Sequence, residues 1–302
     1  MQTLPKEFPL RKHNEEIYVQ SEIHRKLHFL SELPLVQNEY GEFTSYVTSA
    51  DADDKVGDPV TIAEGVEFNE IDFGKPSEKR GATVAKGFMF KVTDKMIRQG
   101  RADANVEIFL TKAVSRMAIF YNDLFLTQFK SAAAATAPSD LSDWGDSSDI
   151  DPIADEIKIC DAMDKGGDSG FTAGRVYLSR ADYLARQLYM KSFDSQFKSE
   201  LEYVPVGSSL PTGTALVVDT DIKLATIEKF ADPNYSQFRK AEVASVKPGA
   251  AKNLSDAVPE SFINVWKPEM KKPGVHEIYV WAEANANVVE PKGIMQVNIG
   301  GT

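Results

Sequence analysis

Apolar side chains recur along this chain with two periods, and the switches between them mark its parts. Residues 1–35 are charged, with Pro5, Pro9 and Pro34 as punctuation. Within them Ile17, Ile23, Leu27 and Leu30 keep helical spacing, which predicts one helix inside an otherwise extended arm. From residue 36 to 92 the rhythm is β-like. VQNEYGEFTSYVTSA alternates β-branched and aromatic residues, DADDKVGDP predicts a turn, and VEFNEIDF and VAKGFMFKV read as strands. The stretch FGKPSEKRGATVAKGF, residues 73–88, lies between them and reads as the long, charged loop of a β-hairpin. On the return strand Val84, Phe88, Phe90 and Val92 share one parity, and Ala85, Gly87 and Met89 make the other face small and flat. Arms of ten residues would project roughly 30 Å.

Then the period lengthens. TDKMIRQG predicts a short helix ended by Gly100. In DANVEIFLTKAVSRMAIFYNDLFLTQFKSAAAA, residues Val106, Leu110, Ala113, Met117, Phe120 and Leu124 form one apolar stripe. Asp103 is placed to cap this helix and Glu107 to lie in its first turn. About 28 residues at ~1.5 Å each give a rod of roughly 42 Å. PSDLSDWGDSSDID reads as a polar, acidic linker. Beyond it, helix PIADEIKICDAMDK, strand GRVYLSR, helix SRADYLARQLYMKSF and strands TGTALVVDT and IKLATIEKF alternate as a compact α/β unit does. FINVWKP and GVHEIYVWAEANANVV predict paired strands joined by PEMKKPG, before the closing EPKGIMQVNIGG. No repeat of solenoid period is present.

Composition narrows the function. The 302 residues suffice for two ordinary domains or one large one, and 42% apolar with 26% charged residues marks a globular chain. A formal net charge of -11 argues against a protein that grips nucleic-acid phosphates. Cys160 is the only cysteine, so no intramolecular disulfide can form. Its place on an amphipathic helix reads as a buried small hydrophobe, since a catalytic thiol needs a polar site beside a His. No apolar h-region follows Met1, so no signal peptide is expected, and MAIFYNDLFL is too short and too broken to span a bilayer.

Candidate chemistry is sparse. Gly-Asp-Ser-Gly within GGDSGF would make Ser169 a nucleophile, but His13, His24 and His28 sit in the charged arm and no all-β double barrel is indicated. A turn explains the tetrapeptide better. His24 and His28 stand at i, i+4 with no third metal ligand evident. DADD and DSSDID lack the order of a calcium loop. Phosphate-cradling and dinucleotide motifs are absent. Trp144, Trp266 and Trp281 are scattered as core or interface anchors would be. No catalytic, metal or cofactor residue is therefore expected. An extended arm, a charged hairpin and a rod helix, none able to bury itself, point instead to burial against a neighbour.

This order of parts resembles the major capsid proteins of tailed phages (Caudovirales-type), with the Hong Kong 97 fold. GFMFKVTDKMI leading into a helical Asp-Ala-Asn-Val-Glu run, and the ending NANVVEPKGIMQV, are similar to that family. The resemblance implies an α+β chain: N-terminal arm 1–35, extended β-hairpin E-loop region 36–92 with the hairpin itself at 42–92, and P-domain with a long spine helix 93–135. A compact α/β A-domain would follow at 136–224, then returning P-domain strands and loop at 225–285, and a C-terminal A-domain segment at 286–302. It implies a non-enzymatic protein of a phage or archaeal virus. Hexamers and pentamers of this chain would close into an icosahedral shell around double-stranded DNA, which it encloses without specific binding. The protein would sit in the virion, assembled in host cytoplasm, with no cofactor and no membrane.

In the resemblance each E-loop lies across a neighbouring copy, which makes Lys75, Pro76, Glu78, Lys79, Arg80 and Lys86 the inter-subunit contact candidates. Only about 35 residues precede the E-loop, so a separate scaffolding protein, or none, is expected, with portal and cementing proteins as further partners. The family's founding member carries a Lys–Asn cross-link. Lys75, Lys79, Lys86 and Asn253 align with no such pair, so none is expected. An encapsulin-type nanocompartment shell is the close alternative. A serine hydrolase using Ser169 is the remote one, and a β-rich adhesion or tail component would not need the rod helix.

Overall fold

The computed structural model describes residues 29, 33, 35–38, 41–47, 77–144, 150–165, 171–192, 202–206, 214–218, 225–230, 264–266 and 274–299. The arm helix expected around Ile17–Leu30, the turn DADDKVGDP and the strand VEFNEIDF fall outside them. The chain divides into two compact units. One comprises Met1–Phe43, Ala82–Leu124 and Ile227–Asn285, and the other Thr44–Gly81, Phe125–Thr226 and Ala286–Thr302.

In the first unit a five-stranded sheet has the order β1-β8-β10-β4, with β9 also paired to β10. Its strands are β1 (Leu35–Asn38), β4 (Val84–Thr93), β8 (Ala225–Phe230), β9 (Asn264–Trp266) and β10 (Val275–Val288). β1 runs parallel to β8, whereas β4 and β9 run antiparallel to β10. The expected FINVWKP–GVHEIYVW pairing is β9–β10. Along β10, Ile278, Val280, Ala282 and Ala284 are buried and alternate with half-buried residues, the period of a strand with one covered face.

Helix α1 (Asp94–Arg98) follows β4 directly, its first turn capped by the Thr93 hydroxyl, which accepts from the Met96 N–H at 3.3 Å. Helix α2 (Ala102–Ala132) is the expected rod, 31 residues or about 46 Å. It opens one residue earlier than Asp103: the Arg101 carbonyl accepts from Asn105 N–H at 3.2 Å. Asp103 is therefore inside the helix rather than its cap, and Glu107 lies in the second turn. The stripe also drifts. Val106, Leu110, Ala113 and Met117 are buried as expected, but the line then runs through Tyr121, Phe125 and Phe129. Phe120 and Leu124 are half-buried instead.

The second unit carries a four-stranded sheet in the order β11-β7-β5-β6. These are β5 (Arg175–Ser179), β6 (Glu202–Val206), β7 (Thr214–Val218) and β11 (Ile294–Asn298). β5 is parallel to β6 and antiparallel to β7, which is antiparallel to β11. Helix α3 (Pro152–Lys165) begins with Pro at its first position, behind Asp151, whose carboxylate accepts from Ala154 N–H at 3.1 Å. Helix α4 (Arg180–Ser192) is capped by Ser179, whose hydroxyl accepts from Asp182 N–H at 3.2 Å. A core of Trp144, Ile159, Met163, Phe171, Val176, Leu178, Val217, Met295, Val297 and Ile299 fills the unit, with Cys160 partly buried at its margin.

The expected linker is only partly a linker. Asp155 on α3 is buried and accepts from the Ser142 hydroxyl, from Ser142 N–H at 3.1 Å and from the Trp144 indole N–H at 2.9 Å. Residues 142–144 are thus fastened to the core, because a buried carboxylate must find donors. Glu156 on α3 and Arg186 on α4 form a second buried link, with Arg186 Nε and Nη2 donating to one carboxylate oxygen at 2.8 and 2.5 Å. The Tyr203 ring covers the guanidinium at 3.8 Å.

Candidate functional site

Where it is described, the stretch expected to form a hairpin loop is strand. Ser77–Ala82 is β3, and it pairs with β2 (Glu42–Val47) in a two-stranded sheet. After Thr83 the chain continues as β4, whose partner is β10. Of the two arms expected, VAKGFMFKV is β4 and pairs with β10, and VEFNEIDF lies outside the described residues. Glycines and charges read as a turn, yet an edge strand carries the same residues to discourage pairing with the wrong partner.

The base of the strand pair is anchored within the first unit. Gly41, at φ 69°, turns the chain into β2 in the left-handed region that favours glycine. Its carbonyl accepts from Thr83 N–H at 2.8 Å. The Thr83 hydroxyl donates to Glu283 at 2.7 Å, and the Asn285 amide donates to the Ala82 carbonyl at 2.8 Å. The point where β3 becomes β4 is thus held by polar side chains of β10. Sequence reasoning missed Gly41, Thr83, Glu283 and Asn285. Their only signal was the polar alternation in EANAN.

Glu78, Lys79 and Arg80 are brought together on β3, all exposed. Glu78 and Arg80 share a face at i, i+2 and pair at 3.2 Å, but the Arg80 side chain is 79% exposed. Such a pair stabilises the fold by well under about 1 kcal/mol and leaves most of the guanidinium fork facing water. Lys86 is not on β3. It lies in β4, its ammonium 5.3 Å from the Phe120 ring centre on α2. Lys75, Pro76, Ser169, His24, His28 and Asn253 are outside the described residues.

Beside the anchor, β4 is tied to α2 and β10. Phe90 stacks on Phe109 at 4.9 Å. The buried Tyr121 hydroxyl lies 2.8 Å from the Val84 carbonyl and 2.6 Å from that of Ala282, donating between the two strands. Burial pushes its phenol well above the ordinary value of 10.0. Val92 is buried as the parity predicts, but Phe88 is 42% exposed and Met89 47%. On the flat face Gly87 lies opposite Trp281. A Cβ there would come within 2.9 Å of both the Trp281 Cβ and the Val280 carbonyl oxygen.

Among the described residues, no group of three or more His, Cys, Asp or Glu side chains is gathered as a metal site. No described helix is long and apolar enough to cross a membrane.

No protein-family model matches the chain, and no curated protein sequence matches it. Solved structures do. A virus-like particle from Pyrococcus furiosus is similar at TM-score 0.58 and 9% identity, over 95% of this chain and 98% of the other. The capsid of a native GTA particle is similar at TM-score 0.58 and 9% identity, over 91% of each chain. An encapsulin complex from Synechococcus elongatus PCC 7942 is similar at TM-score 0.51 and 11% identity, over 93% and 90%. At such identities the likeness is one of fold: a mixed α+β chain with the Hong Kong 97-like capsid fold, as its sequence resembles.

Proposed function

We propose that this chain is a viral major capsid protein whose hexamers and pentamers close into an icosahedral shell around double-stranded DNA. One observation carries the reading: the likeness to particle-forming proteins runs over nine-tenths or more of both chains. In this reading residues 1–35 are the arm, 36–92 the E-loop region, and 93–135 with 225–285 the P-domain around a spine helix. Residues 136–224 with 286–302 are the A-domain. Glu78, Lys79 and Arg80, with Lys75, Pro76 and Lys86, contact a neighbouring copy. The protein is structural, without cofactor or membrane. Its partners are itself, a separate scaffolding protein, a portal and a cementing protein, and it resides in the virion after assembly in host cytoplasm. A net charge of -11 keeps packaged DNA from adhering.

Negative-stain electron microscopy of the purified chain, alone and co-expressed with its scaffolding protein, should show closed shells. A chain that stays monodisperse and monomeric in both preparations overturns the reading. Denatured particles should run at 33.4 kDa. A ladder above that mass would reveal a covalent cross-link.

The encapsulin likeness favours one second reading, a nanocompartment shell. Particle contents and gene neighbours separate the two: a cargo enzyme marks the nanocompartment, and packaged DNA beside portal and terminase genes marks the virus.

A further inference from the structure

Helix α4 exposes two large apolar side chains on one face, and helix α3 exposes one. Ile157 is 66% exposed, Leu184 50% and Leu188 70%. The helices themselves are side by side and antiparallel. Glu156 bonds Arg186, and Asp151, just before α3, accepts from the Tyr189 hydroxyl at 3.2 Å, so the partners run in opposite order. Helical geometry then fixes the directions. Leu184 and Leu188 lie two residues either side of Arg186, about 160° from it, and so point away from α3. Ile157 lies about 100° from Glu156, turned toward solvent.

The charges around the two faces are opposite. Along α3, exposed Asp161 and Asp164 follow Ile157 at i+4 and i+7, one face of the helix. Along α4, exposed Arg180 and Lys191 bracket the two leucines on theirs. Two of these charges oppose their own helix. Asp164 stands in the last turn of α3, where the dipole disfavours an acid. Arg180 is the first residue of α4, where it disfavours a cation. Residues that break a local rule without a local gain are expected where a partner supplies the gain.

We infer that the α4 face carrying Leu184 and Leu188 in one copy docks on the α3 face carrying Ile157 in the next copy. The contact is heterologous, acidic-apolar against basic-apolar, so it gives a ring, not a two-fold dimer, where the rotation between copies closes. It rests on the shell reading, and specifies which helices of neighbouring copies meet within a capsomer. Apolar burial supplies affinity, and the charge signs set the direction of the ring.

Charge exchange tests it in the full chain. Arg180→Glu with Lys191→Glu, and separately Asp161→Lys with Asp164→Lys, should each raise the concentration at half-assembly at least about tenfold, because small losses per contact multiply around a closed particle. The four substitutions together should restore it to within about threefold, since opposite signs meet again. Circular dichroism of each variant should match the parent, showing that the fold is kept. In a second measurement, Ile157→Cys with Leu188→Cys should give, on mild oxidation, a covalent ladder passing dimer and ending at five or six copies. Undisturbed assembly in either reversed pair, a fourfold variant no better than the worse pair, or cross-linking that stops at dimer overturns the contact while leaving the shell reading intact. A parent chain that never assembles overturns the shell reading, and this contact with it.

Discussion

Two residues in the first unit do more than fill space. Tyr121 joins α2 to two strands through one hydroxyl, so Tyr121→Phe should cost about 1–2 kcal/mol in urea denaturation. The same change has a signature in pH. The folded phenol holds its proton above the ordinary 10.0, so the unfolded chain ionises first. Stability from this group is complete below pH 10 and is lost as pH rises beyond it. The Phe variant should start lower and fall less steeply above pH 10. Gly87 is the converse case, needed for what it lacks. Gly87→Ala meets a strand backbone and the Trp281 Cβ, and should lower stability by about 1–3 kcal/mol, seen as a lower urea midpoint at unchanged slope.

Among the elements, the long helix was the most legible in sequence, because a 3.6-residue period repeated through eight turns admits no other structure. What the period hid was rotation. Phe120 and Tyr121 are adjacent aromatics in sequence, and the carbonyls of Val84 and Ala282, distant in the chain, supply the acceptors that let the Tyr121 hydroxyl turn inward. The strand β3 was misread for a related reason: SEKRGA has turn composition, and its pairing with β2 depends on residues some thirty positions away. Strand β6 went unread because Pro205 breaks its pattern, yet β5 accepts it as a parallel neighbour. PSDLSDW looked like a linker because its partner, Asp155, lies beyond the next turn. Asp155→Ala should strand the Trp144 indole and the Ser142 amide in the core. A loss of about 2–3 kcal/mol is expected, followed by tryptophan emission shifting to the red on urea titration.

For the whole molecule, the candidate contacts on β3 are exposed charges. Lys79→Glu with Arg80→Glu should leave the monomer's melting temperature within about 2 °C, since surface changes alter stability by less than about 0.5 kcal/mol. Assembly should be impaired, read as loss of closed shells by microscopy. Unaltered shells would remove β3 from the interface.

The exposed faces on α3 and α4 carry one more consequence. Each carries only one or two exposed apolar side chains, among charges that water and salt can screen. A copy that joins a growing ring at the wrong angle is therefore held briefly and released, whereas a copy seated correctly is retained by its other neighbours. Weakness in the single contact is what would let the assembling particle correct its own errors, and strengthening it should yield more malformed particles rather than sturdier ones.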